Sequence, residues 1–103
     1  MSKIAFKMKL KAGAKAEYKK RHDEIWPDLA ALLKQNGVSD YSIFLDEETN
    51  TLFAVQQQDG ASSQDLGTTA IVQKWWAYMA DIMETNPDNS PVSVRLEQVF
   101  HLD

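Results

Sequence analysis

Residues 41–57, YSIFLD-EETN-TLFAVQQ, constrain the fold more than any other stretch. Two runs rich in β-branched and aromatic residues flank four polar ones, and so short a polar connection joins neighbouring strands in an antiparallel hairpin. A period-two run stands at each end of the chain. In IAFKMKL (4–10), Ile4, Phe6, Met8 and Leu10 alternate with Ala5, Lys7 and Lys9, and VSVRLEQVF (92–100) alternates in the same way. Helical periodicity fills both gaps. Tyr18, His22, Ile25, Leu29, Leu32 and Leu33 form one stripe over 14–36, and Val72, Trp75, Trp76, Met79, Ile82 and Met83 form another over 69–84. The order is β-α-β-β-α-β. Its simplest closure is an α+β, ferredoxin-like plait: an antiparallel four-stranded sheet with two helices on one face.

The punctuation agrees with these elements. Gly37 stands where a helix over 14–36 would stop, and Thr68 or Thr69 can cap the second helix. Pro27 lacks an N–H and crowds the carbonyl four residues back, so it either kinks the first helix or opens a second one. NPDNSP (86–91) ends the second helix in a tight loop. At 103 residues the chain is expected to form a single domain over 1–103. Val92, Val94, Leu96 and Phe100 are expected to face the helices. Phe44, Phe53, Val55 and Val99 then fall on the uncovered face of the sheet, an apolar patch that predicts a homodimer.

Several function classes lose support. There are 15 acidic against 11 basic side chains, net −4, which disfavours nucleic acid as a partner. No apolar run approaches the roughly 20 residues of a membrane span, and the N-terminus has no leader-like apolar stretch, so no membrane role and a cytoplasmic location are expected. Cysteine is absent, and the two histidines are far apart with no metal-ligand spacing, so no metal is expected. No phosphate-cradling glycine loop and no nucleophile elbow is present.

What is left is aromatic and neutral. Tyr18 lies one helical turn before His22 on the same stripe. Trp75 and Trp76 come from the other helix on the same side of the sheet, and Tyr41 opens a strand at the rim. Such a set suits a small polyol, with rings against its C–H faces, phenol and indole groups on its hydroxyls, and an imidazole that moves protons near neutral pH. Each residue also has an ordinary structural reading. A lone histidine on an apolar stripe is commonly a hydrogen-bonded core residue, and paired tryptophans at helical spacing are commonly core. On spacing alone, both readings stay open.

The sequence resembles the L-rhamnose mutarotase family nearly end to end. AFKMKL, EYKKRHDEIWPDL, NGVSDYSIFLD, QKWWAYMADIM and NPDNSPV carry the resemblance, and the combination YxxRH-x2-IWP, WWxYM and NPDNSP is specific. The resemblance implies a small dimeric enzyme of the α/β-barrel type that interconverts the α and β pyranose anomers of L-rhamnose, or a related 6-deoxyhexose, without metal or cofactor. It implies His22 as proton donor and Tyr18, Tyr41, Trp75 and Trp76 as substrate contacts. The second proton-transfer group is open between water, Asp28, Asp88 and Asn89. Residues 56–67, QQQDGASSQDLG, are shorter and more polar than the family resemblance implies, and 58–68 is a candidate lid. A cofactor-independent monooxygenase of the same fold and a non-catalytic binding module are the competing readings.

Overall fold

The computed structural model describes residues 2–60 and 66–103. The elements run β1 (Ser2–Lys9), α1 (Lys15–Asp23), α2 (Pro27–Gln35), β2 (Val38–Asp46), β3 (Thr51–Gln58), α3 (Ala70–Met79) with a 3-10 turn at Ala80–Ile82, and β4 (Ser93–Leu96). The four strands form one sheet in the order β2-β3-β1-β4, and every neighbouring pair is antiparallel. The fold is α+β, with three helices where two were expected.

The third helix comes from Pro27. The 14–36 stripe does not bend at this residue; it divides. Pro27 opens α2 at its first helical position, where a missing N–H costs no intrahelical bond. Trp26, with extended φ/ψ, is the N-cap and accepts the N–H groups of Leu29 and Ala30. At the far end Gly37 has φ +85, and a Cβ built there would lie 2.2 Å from the Asp59 carbonyl oxygen. Its own carbonyl accepts the Asp59 N–H, so the α2–β2 turn is fastened to the end of β3. Only glycine meets both demands.

Strand pairing decides which side chains meet the helices. Phe6 opposes Ala54, Met8 opposes Leu52 and Ile4 opposes Gln56, so these residues share a face. That face packs on Tyr18 of α1, Leu29 of α2 and Val72, Trp75 and Met79 of α3, all buried in one cluster. Directly opposite residues always share a face, because the pleat is in phase across a ladder.

This rule overturns the expectation for the last strand. Val94 pairs with Lys7 and Leu96 with Ala5, which puts both on the face away from the helices, beside Phe53, Val55 and Phe44. Ser93 and Arg95 take the helix side. The strand is also shorter than 92–100. Residues 97–103 have no regular secondary structure, and Val99 and Phe100 are 89% and 77% exposed. α3 is shorter than 69–84 as well: Met83 is extended and bridges Leu10. Thr69 does stand at its N-cap, but its hydroxyl donates to the Leu66 carbonyl and caps no helical N–H.

Candidate active site

On the helix side of the sheet lies a cavity of about 650 Å³, within the usual range of roughly 300–1,000 Å³ for small-molecule sites. Its apolar wall is built from core residues of several elements, among them Met8, Leu29, Leu52, Val72 and Met79. Tyr18, His22, Tyr41, Trp75 and Trp76, the five residues singled out from the sequence, all line it. Exposed polar residues line it too, including Lys15, Lys19, Asp23, Asp40 and Asn89. Of the open choices for a second proton-transfer group, Asn89 reaches this cavity and Asp28 and Asp88 do not. The Asp88 carboxylate is instead occupied by the hydroxyl and backbone N–H of Ser90, which hold it below its ordinary range.

His22 is held from three sides. Its ring stacks on Tyr18 at 4.2 Å between centroids, tilted 25°, as residues four apart on a helix can. Its other neighbour is Trp75, which meets it edge-on at 5.4 Å. Nδ1 lies 3.1 Å from the Tyr18 carbonyl oxygen. A carbonyl only accepts, so Nδ1 carries hydrogen in either charge state and Nε2 is the nitrogen that gains and loses the proton. Burial pushes the imidazole below its ordinary value of 6.5, and the Tyr18 carbonyl and the Asp23 charge only partly oppose this. His22 is therefore mostly neutral at pH 7 and a stronger acid than a free imidazolium once protonated.

Tyr18 is buried, and desolvation raises its phenol far above the ordinary tyrosine value, with Tyr41 close enough to add to the effect. It stays neutral throughout the physiological range and can donate a hydrogen bond to a hydroxyl. The tryptophan pair splits as a helix requires for adjacent residues. Trp75 is buried at 9% exposure, and Trp76 is half-buried. The Trp76 ring lies over Gly67, where a Cβ would come within 2.6 Å of it. This is the edge of the candidate lid over 58–68, of which residues 61–65 lie outside the described residues.

Sequence reasoning missed the support behind this ring set. Trp26 packs edge-on against Trp75 at 5.0 Å, and Tyr78 touches both. Arg21, beside His22, then braces α1 against α3. Its guanidinium forks onto the Asp81 carboxylate at 2.8 and 3.1 Å, donates to the Tyr78 carbonyl at 2.7 Å and to Glu17 at 2.8 Å, and lies 4.6 Å over the Tyr78 ring. The available signal was Tyr78 three residues after Trp75, one turn along the same helix. Among the described residues no cluster of three or more metal-ligating side chains occurs, and no helix is long and apolar enough to cross a membrane. His101 is exposed in the tail, bonded to Asp103.

A cavity of this size, walled by aromatic rings around one tethered imidazole, is equipped for proton transfer on a small uncharged ligand. Comparison with known proteins gives the same direction. The family model for L-rhamnose mutarotase matches residues 3–102. The chain is 67% identical to an L-rhamnose mutarotase of Bacteroides thetaiotaomicron and 62% identical to one of Formosa agariphila, each over the full length of both chains. A crystal structure of L-rhamnose mutarotase from Formosa agariphila superposes with a TM-score of 0.94 at 60% identity, covering all of both chains. With cavity, ring set and whole-length identity in agreement, the chain belongs to the L-rhamnose mutarotase family.

Proposed function

We propose that this protein is an L-rhamnose mutarotase, a carbohydrate isomerase that interconverts the α and β pyranose anomers of L-rhamnose by acid–base ring opening. The observation that carries the site assignment is the placement of His22 inside a cavity shared with Tyr18, Tyr41, Trp75 and Trp76. Full-length identity to mutarotases separates it from a monooxygenase-like enzyme on the same fold.

In the proposed mechanism the imidazolium of His22 gives its Nε2 proton to the ring oxygen while a solvent water takes the proton of the anomeric hydroxyl. The bond from C1 to the ring oxygen breaks and leaves the open aldehyde. Rotation about C1–C2 presents the other face of the carbonyl, and reclosure reverses both proton transfers. Tyr18 and Tyr41 supply hydrogen bonds to sugar hydroxyls, and Trp75 and Trp76 supply apolar faces for its C–H groups. No step in this scheme calls on a metal or cofactor.

The same reading takes the chain as one domain with the strand order of a ferredoxin-like plait, working in the cytoplasm as a homodimer. The support for the dimer is the open face of the sheet, where Phe44 and Val94 are 62% and 51% exposed beside Phe53, Val55 and Leu96.

The test is mutarotation of freshly dissolved crystalline L-rhamnose, followed by optical rotation. The rate is expected to rise linearly with protein concentration and to fall by about 10²–10⁴-fold in His22→Asn, with melting unchanged at about pH 7. A folded His22→Asn with full activity removes His22 from the mechanism. Wild-type protein that leaves the rate unchanged overturns the substrate and favours the binding-module reading.

A further inference from the structure

The position before Tyr41 carries an anomaly that the site needs. Ile43 and Leu45 face the helices opposite Ala54 and Leu52. Two residues back in a regular pleat, Tyr41 faces the same way, as its packing against the core and its place in the cavity wall require. Val38 also faces the helices: it is 3% exposed and pairs with Gln58, on the same side as Gln56 and Ala54. Val38 and Tyr41 are three apart. In an uninterrupted strand they would point to opposite faces.

The register resolves the conflict. Ser39 pairs with Gln57 and Ser42 with Val55, so Asp40 and Tyr41 together stand opposite the single residue Gln56. This is a one-residue β-bulge, and Asp40 is at φ +47, the left-handed conformation that a bulge of this kind places at its first residue. Among residues with a side chain, aspartate and asparagine enter that region most readily, and β-branched residues are outliers there.

Resting on the assignment of Tyr41 to the site, we infer that Asp40 is a positioning residue for the reaction: its left-handed backbone forms the bulge that turns Tyr41 into the cavity while Val38 stays in the core. What the site takes from this position is its backbone geometry and not its carboxylate. Val38 follows directly on Gly37, whose contact with Asp59 fixes the start of β2, so the strand cannot slide to accommodate both side chains. Without the extra residue, the cavity loses Tyr41 or the core loses Val38.

The experiment measures kcat and KM for L-rhamnose mutarotation, with saturation-transfer NMR of the anomeric protons, in Asp40→Asn, Asp40→Gly and Asp40→Val, each also in a Tyr41→Ala background. Asn and Gly hold the left-handed region and are expected to stay within about threefold of wild type, whereas Val is expected to raise KM by about tenfold to a hundredfold, as misplacement of a contact residue by an ångström can. In the Tyr41→Ala background the Val effect is expected to shrink to about twofold or less, because the two changes remove the same contact. Asp40→Ala replaces the valine variant if that does not fold, with the same expectation in smaller measure.

The proposal is overturned if Asn and Gly lose as much as Val, which assigns the role to the carboxylate, if Val matches wild type, or if the Val effect is undiminished without Tyr41. Tyr41→Ala with wild-type kinetics is a different failure. It removes Tyr41 from the site, and this inference with it.

Discussion

The imidazole of His22 is easier to deprotonate than a free one because the fold desolvates it, and that displacement links its charge to stability. The unfolded chain keeps this proton up to the ordinary value of 6.5, while the folded chain releases it at a lower pH. Between those two values the unfolded state binds more protons. The neutral form fits the fold, so the stability from this group is complete above 6.5 and is lost as pH falls through the window below it. Thermal melting from about pH 7 to about pH 5 is therefore expected to fall more steeply in wild type than in His22→Asn. Equal slopes would show that the ring is not desolvated. Asp81 contributes in a separate, more acidic window. Its hydrogen bond to Arg21 lowers it from 3.8, so its contribution is present above that value and lost as pH falls through the lower one. Four of the five residues marked out by the sequence follow from helical periodicity, which is local: Tyr18 lies one turn before His22, and Trp75 and Trp76 are adjacent on α3, whereas Tyr41 lies on β2 beyond a register shift that spacing does not show.

Elements were legible where they depend on neighbours in sequence and less so where they depend on partners across the fold. The alternation of IAFKMKL and the polar EETN turn led directly to β1 and the β2–β3 hairpin. Pro27 allowed two outcomes, a kink or a new helix; in the new helix Trp26 is the N-cap and packs against Trp75, a contact between residues far apart in the chain. β2 begins at Val38, before the expected Tyr41, because its start is fixed by pairing with Gln58. The face of β4 was misread for the same reason: alternation tells which residues share a side, and only the Lys7–Val94 pairing tells which side it is. Gly37 was visible as a helix stop, but its contact with Asp59 was not. In Gly37→Ala the positive φ and the 2.2 Å approach to a backbone oxygen act together. The expected loss is about 2–3 kcal/mol, or roughly 10 °C or more in Tm, measured by calorimetry. A melting point within a degree or two of wild type would mean that the turn relaxes without cost.

At the scale of the whole molecule, the sheet has one face committed to three helices and the other to none. Phe44, Phe53, Val55, Val94 and Leu96 cross the open face from β2 to β4, interrupted by Lys7 on β1. A second copy of the chain would cover these residues against themselves, as two-fold pairs do. Phe44→Glu places a charge on the most exposed of the sheet's own apolar side chains. Sedimentation velocity at micromolar concentration is expected to show a dimer in wild type and a folded monomer in this variant. A wild-type monomer at that concentration would leave the patch with some other role.

The chain has three tryptophans, and two of them, Trp26 and Trp75, are in contact behind the imidazole of His22. An imidazolium quenches a neighbouring excited indole more strongly than neutral imidazole does. The protonation state of His22 is thus written into the protein's own emission, and the proton transfer proposed for it can be followed optically in the unlabelled molecule.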